Sequence, residues 1–204
     1  MNFNIIQQEK YSRGELLLRS FFGFIYILIP HGIVLMFLSI ASMFISFIAF
    51  WSILFTGKYP EGMYSFQIKF RKWQLRVNAR LLNLRDGYPS FGIDSIDEGV
   101  VFEQPYPENL SRGILLLRAF LGLFYVLIPH LFILTFRTFA TQVIIVIAWF
   151  AVLFTGKYPK GMFDFVVGTI RWNLRLGLYM SNMTDTYPPF TGKILATENI
   201  SASN

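Results

Sequence analysis

The chain has 204 residues, 54% of them hydrophobic and only 15% charged, against about 25% charged in a soluble domain; an ordinary soluble protein is excluded. Without cysteine, disulfides and thiolate metal sites are excluded as well. The net charge of +6 would suit nucleic acid, but the bases sit beside apolar runs among Trp, Phe and Tyr. That placement points to an anionic lipid surface and to no nucleic acid.

Residues 1–11 form a polar tail of mixed charge without the regions of a secretory signal, so the apolar segment after it reads as a retained anchor. Residues 16–29 are apolar apart from Arg19 and Ser20, and Pro30-His31-Gly32 follows. Residues 33–55 carry no charge and exceed the roughly 20 residues that cross a hydrocarbon core. Proline lacks an amide hydrogen and biases the residue before it away from helix, so Pro30-His31 predicts a turn and residues 12–55 a transmembrane hairpin. The first leg rises only about 24 Å, so it thins the bilayer, lets Arg19 snorkel or remains re-entrant. Kinked single spans with interfacial lead-ins are the alternative topology. Ser39, Ser42 and Ser46 offer small polar residues for close helix approach.

The next segment, LFTGKYP, ends at Pro60. It lacks the upstream glycine and the hydroxyl residue of a phosphate-binding loop. It reads as a turn: Gly57 ends the helix, Lys58 and Tyr59 sit at the interface, and Pro60 opens the next helix. There the period changes. Phe66, Phe70, Trp73, Val77, Leu81 and Leu84 make one helical stripe, bordered by Lys69, Lys72, Arg76 and Arg80. An indole-bearing stripe flanked by bases predicts a helix lying in the headgroup plane; docking on a partner's soluble domain is the alternative. Asp86, beside Tyr88-Pro89, reads as an Asx-type turn cap. Residues 92–110 are an acidic linker with Asp94, Asp97, Glu98, Glu103 and Glu108 and no base.

The pattern then repeats. Residues 12–91 align with 111–190 without a gap, and about half the positions are identical: SRGELLLRSF with SRGILLLRAF, LFTGKYPEGM with LFTGKYPKGM, DGYPSF with DTYPPF. This is a duplicated module, the second copy running over residues 111–191 and a polar tail over 192–204. Its interfacial bases and indole are Lys157, Arg171, Trp172 and Arg175.

An apolar helix with one arginine, Pro-His, a long apolar run, LFTGKYP, a Trp-centred basic helix and Asp-x-Tyr-Pro-x-Phe resembles the bacterial domain of unknown function family DUF4389, in two tandem copies. The resemblance implies a membrane protein and brings no catalytic residues with it. Ser90 departs from the Pro-Pro of the family, which the second copy keeps at Pro188-Pro189.

The expected fold is an all-α integral membrane protein of two tandem parallel repeats, each a Pro-His-broken hairpin followed by a basic amphipathic interfacial helix. The basic open ends place both termini and the linker in the cytoplasm, with the chain in the bacterial inner membrane. His31 and His130, the only histidines, read as helix-ending residues at the far interface, and no metal, cofactor or catalytic group is expected. The copies differ where Leu38 becomes Arg137 and Met43 becomes Gln142. His130, Arg137, Thr138, Thr141 and Gln142 share neighbouring helical faces, and a charge within a span marks a partner- or lipid-binding site; a snorkelling arginine is the alternative. The expected function is a non-catalytic accessory or scaffold subunit that packs on a partner membrane protein, or on further copies of itself, and grips the anionic leaflet. A small transporter or lipid-handling component using the cleft between the copies is the alternative.

Overall fold

The computed structural model of the chain describes residues 1–195. Each copy opens on a serine cap. The Ser12 hydroxyl accepts from the Glu15 amide and Ser111 from the Ile114 amide, both at 3.3 Å, satisfying a donor at the helix start. Helix α1 (Arg13–Gly23) continues through a π turn, Phe24–Leu28, into α2 (Ile29–Thr56). In the second copy α4 (Arg112–Gly122), the π turn Leu123–Leu127 and α5 (Ile128–Thr155) do the same.

The expected hairpin turn is therefore absent. Pro30 and Pro129 lie inside one helix of 44 residues in each copy. The π turn explains how. The Ile29 amide bonds to the Phe24 carbonyl, five residues back, and the wider turn absorbs both the missing proline amide and the clash of its ring. Four helices in two hairpins become two helices, each long and apolar enough to cross a membrane.

Each long helix ends on a left-handed glycine, Gly57 (φ 77) or Gly156 (φ 70), as a C-terminal cap requires. Pro60 and Pro159 then lead into α3 (Glu61–Leu81) and α6 (Lys160–Met180). Left-handed Asn83 (φ 56) and Asn182 (φ 58) close those helices. At its far end α3 returns to the beginning of the long helix, where the Tyr11 hydroxyl donates to the Leu84 carbonyl at 3.2 Å. Helix α3, about 32 Å long, packs against α1, the π turn and α2 of the 44-residue helix, whose contour is about 66 Å at 1.5 Å per residue.

The fold is not purely helical. Strand β1 (Asn2–Ile5) pairs antiparallel with β2 (Val100–Glu103), Asn2 opposite Glu103 and Ile5 opposite Val100. The segments expected as a tail and a linker thus form a ribbon. Phe3, Ile5, Val100 and Phe102 alternate into the core, because a two-stranded ribbon needs a packed face to persist.

The copies interlock end to end. Arg13 donates to the Phe154 carbonyl and Arg112 to the Phe55 carbonyl, both at 2.9 Å. Each copy thereby places a cation on the negative end of the other copy's long helix. Beneath these caps Leu16, Ala49 and Ile53 share one core with Leu115, Ala148 and Val152. The outer faces of the long helices are apolar and open: Phe21 and Phe55 are each 72% exposed and Phe120 77%.

Candidate functional site

Two constellations recur in both copies and are structural. The Arg19 guanidinium donates to one Asp86 oxygen at 2.7 Å while the other accepts from the Ser12 amide at 2.6 Å. Arg118, Asp185 and Ser111 repeat this at 2.8 and 2.6 Å. Both arginines are buried, so Arg19 does not snorkel, and the aspartates are ion-pair partners rather than local turn caps. The Trp73 indole N–H donates to His31 Nδ1 at 2.8 Å, and Trp172 to His130 at 2.9 Å. Neither histidine has exposed surface. The histidines and the indoles are inside the protein rather than on the molecular surface, because a buried indole N–H needs an acceptor and the imidazole supplies one.

The flanking bases also turn inward. Arg76 donates to the carbonyls of Ser95 and Gly92, and Arg80 pairs with Asp97 at 2.6 Å. Arg171 donates to the carbonyls of Phe3 and Gly192, and Arg175 to those of Thr191 and Lys193. All four are buried, which overturns their assignment to a membrane surface. A guanidinium carries five donors, and here they gather the carbonyls of the segment that follows each helix. Burial holds the Arg76 guanidinium below its ordinary pKa, with Asp97 opposing the shift. Gly192 and Lys193, expected in the tail, are held to the second copy by these bonds; residues 196–204 lie outside the described residues. Lys58 and Lys157 remain exposed, Lys72 is half-buried, and exposed Lys69 pairs with Asp94 at 2.6 Å.

The expected site around Arg137 separates into parts. Arg137 Nε donates to Thr169 Oγ1 at 2.9 Å and one terminal nitrogen to the Phe165 carbonyl at 3.2 Å. Its guanidinium lies 4.2 Å from the centre of the Phe165 ring. Thr141 joins through a 2.9 Å hydroxyl contact to Thr169. Thr138 and Gln142 instead face outward, and His130 is held by Trp172.

Arg137 opens onto a cavity of about 610 Å³ along α6, bounded by residues 191–194 and Asn4 of β1, with Lys160, Asp164, Arg171 and Lys193 in its wall. Two glycines make the room. A Cβ on Gly168 would lie 2.9 Å from Arg137 Nη2, and one on Gly192 2.3 Å from the Gly168 carbonyl oxygen. Lys160 is paired with Asp164 at 3.1 Å. The wall therefore presents a surplus of positive charge and hydrogen-bond donors, an arrangement that can hold an anion. Sequence reasoning missed Lys160, Gly168, Thr169, Gly192 and Lys193. The signal was available by aligning the copies, which sets Gly168 against Lys69, Gly192 against Ile93 and Lys193 against Asp94.

A family model described as Domain of unknown function (DUF4389) matches residues 17–92 and again 116–192. No curated protein matches the chain. No solved structure matches it.

Proposed function

The chain belongs to the DUF4389 family in both of its copies, and from that premise we propose that it is a non-catalytic membrane subunit that scaffolds a partner membrane protein. The observation that carries this is the open apolar face along both long helices, in which Phe21, Phe37, Phe47 and Phe55 of the first copy are each more than half exposed. A face that extensive is unfavourable in water and suits lipid or an apolar partner. The long helices enter the bilayer from one side, and their ends, with Lys58, Lys157, Arg13 and Arg112, meet the anionic leaflet of the bacterial inner membrane. Both termini and the linker are then cytoplasmic.

The transporter alternative is less favoured, because the space between the copies is filled. Leu16, Ile53, Leu115 and Val152 meet there with 1% exposure or less.

Single cysteines replacing the exposed Ser12, Lys58 and Glu98 should all resist an impermeant thiol reagent in intact cells and all react in inverted vesicles. Labelling of Lys58→Cys in intact cells, with Ser12→Cys protected, would put the ends of one long helix on opposite sides and overturn the arrangement. Co-purification from membranes tests the scaffold role, which fails if the chain is recovered alone and monomeric under mild solubilisation.

A further inference from the structure

We infer that the cavity between α6 and residues 191–194 of the second copy, onto which Arg137 of α5 opens, holds a phosphate group, that of an anionic phospholipid headgroup. The inference rests on the membrane reading above and extends it to one site. Arg137 is the starting point. It has no carboxylate partner among the described residues, yet its guanidinium is fixed by Thr169, the Phe165 carbonyl and the Phe165 ring. Its second terminal nitrogen has no hydrogen bond to the described residues, so an oriented cation is left with donor capacity to spare. Lys160 and Lys193 line the same cavity, and Asp164, its one acidic lining residue, is paired with Lys160. A planar guanidinium with ammonium groups nearby matches the several oxygens of a phosphate.

The first copy serves as an internal control. There Leu38 replaces Arg137 and sits with an apolar cluster of Ile27, Trp73 and Val77. The corresponding cavity is about 300 Å³, and its wall includes Asp94, Asp97, Glu98 and Glu103 from the linker beside Lys69 and Lys72. Lys69 is closed onto Asp94 at 2.6 Å. The acidic linker thus neutralises in one copy the charge that the other leaves open. The two glycines point the same way: a side chain at Gly168 would meet the guanidinium, and Gly192 lets its own segment lie directly on the Gly168 backbone. The source is a lipid rather than a free anion because Arg137 lies on α5 between Phe136 and Phe139, which are 64% and 73% exposed. A headgroup on the guanidinium then has the open apolar side of the same helix within reach of its acyl chains.

The test uses the full chain in neutral-lipid nanodiscs doped with phosphatidylglycerol, with retained lipid read by native mass spectrometry and inorganic phosphate as a separate arm. The wild type should retain phosphatidylglycerol over phosphatidylcholine. Arg137→Leu, and independently the exposed substitution Lys193→Asp, should each lower retention about tenfold, as expected for losing or cancelling one charge-assisted contact. Lys69→Ala in the first copy should leave retention unchanged. Wild-type retention in both second-copy variants overturns the site. Binding of inorganic phosphate without preference for the lipid overturns the headgroup assignment. Retention that appears only in a chain ending at residue 195 would make the chain's own end the occupant, again overturning it. Insertion is measured separately by flotation with neutral vesicles, so a failure of the membrane reading is distinguishable from a failure of the site.

Discussion

The two copies share a backbone plan and differ in how they dispose of charge. In the first, acids answer buried Arg19 (Asp86 and Glu15), buried Arg80 (Asp97) and exposed Lys69 (Asp94), while half-buried Arg71 reaches across to Gly177 and Ser181 of the second copy. In the second, Arg118 relies on Asp185 and two carbonyls, and Arg137 has no acid at all among the described residues. A duplicated scaffold thus keeps its architecture while one copy becomes electrostatically closed and the other stays open. What is common to both copies holds the fold, and what differs marks the candidate site.

The largest expected effect tests the clasp. Asp185→Asn leaves the buried Arg118 without an anion, and removing one partner of a buried pair costs about 3–5 kcal/mol. Asp86→Asn should cost less, because Glu15 still pairs with Arg19 at 3.1 Å. Denaturant unfolding in detergent reads both, and equal losses would mean that Glu15 contributes nothing and the copies are alike here.

Next comes exchange of the residues that distinguish the spans. Leu38→Arg introduces a charge where no Thr169 or glycine pair receives it, for a cost of about 3 kcal/mol. Arg137→Leu should leave stability close to wild type. If Leu38→Arg is tolerated equally well, the pocket of the second copy is not specialised for a guanidinium.

A smaller effect should be the same in both copies. Trp73→Phe and Trp172→Phe each remove an indole donor and strand a buried imidazole nitrogen, for about 1–3 kcal/mol. Thermal unfolding of the two variants measures this, and a loss in only one copy would show that one of the His–Trp pairs is dispensable.

The least effect at neutral pH, where it vanishes, concerns the tyrosines of the LFTGKYP turns. Burial pushes the Tyr59 phenol up to about 12 and Tyr158 higher still. A folded-state pKa above the unfolded value of 10 contributes stability that is complete below pH 10. That contribution is lost as pH rises through about 12. Stability measured from pH 9 to 12 should fall, and Tyr59→Phe with Tyr158→Phe should flatten the fall. An unchanged slope in the double variant would assign it to other groups.

Much of this was legible in the chain. The duplication, the glycine-ended helices and the apolar runs follow from local pattern. The hairpin was not, because a proline signal cannot tell a turn from a helix widened by one residue, a choice made by packing of the segment against α3 or α6. The amphipathic helices were read with the right stripe but the wrong surroundings. Arg76 and Arg171 border an apolar face in either setting, and only the return of residues 92–97 and 191–193 over them decides that they point inward. The candidate site was half legible: Arg137 stood out, but its companions come from residues distant in sequence.

By itself, the sequence determined the module, its two copies, the long apolar helices and the single charge that sets the second span apart. These depend on residue order over a few helical turns, where periodicity and caps act locally. Tertiary structure alone decided that the tail and linker pair as strands and that each copy caps the other's helix. It also decided that Arg76, Arg80, Arg171 and Arg175 are internal clasps and that Arg137 meets Thr169 and Phe165 beside Gly168. Each of these brings together groups far apart along the chain, and burial then forces them to pair, because a polar group removed from water must find a partner.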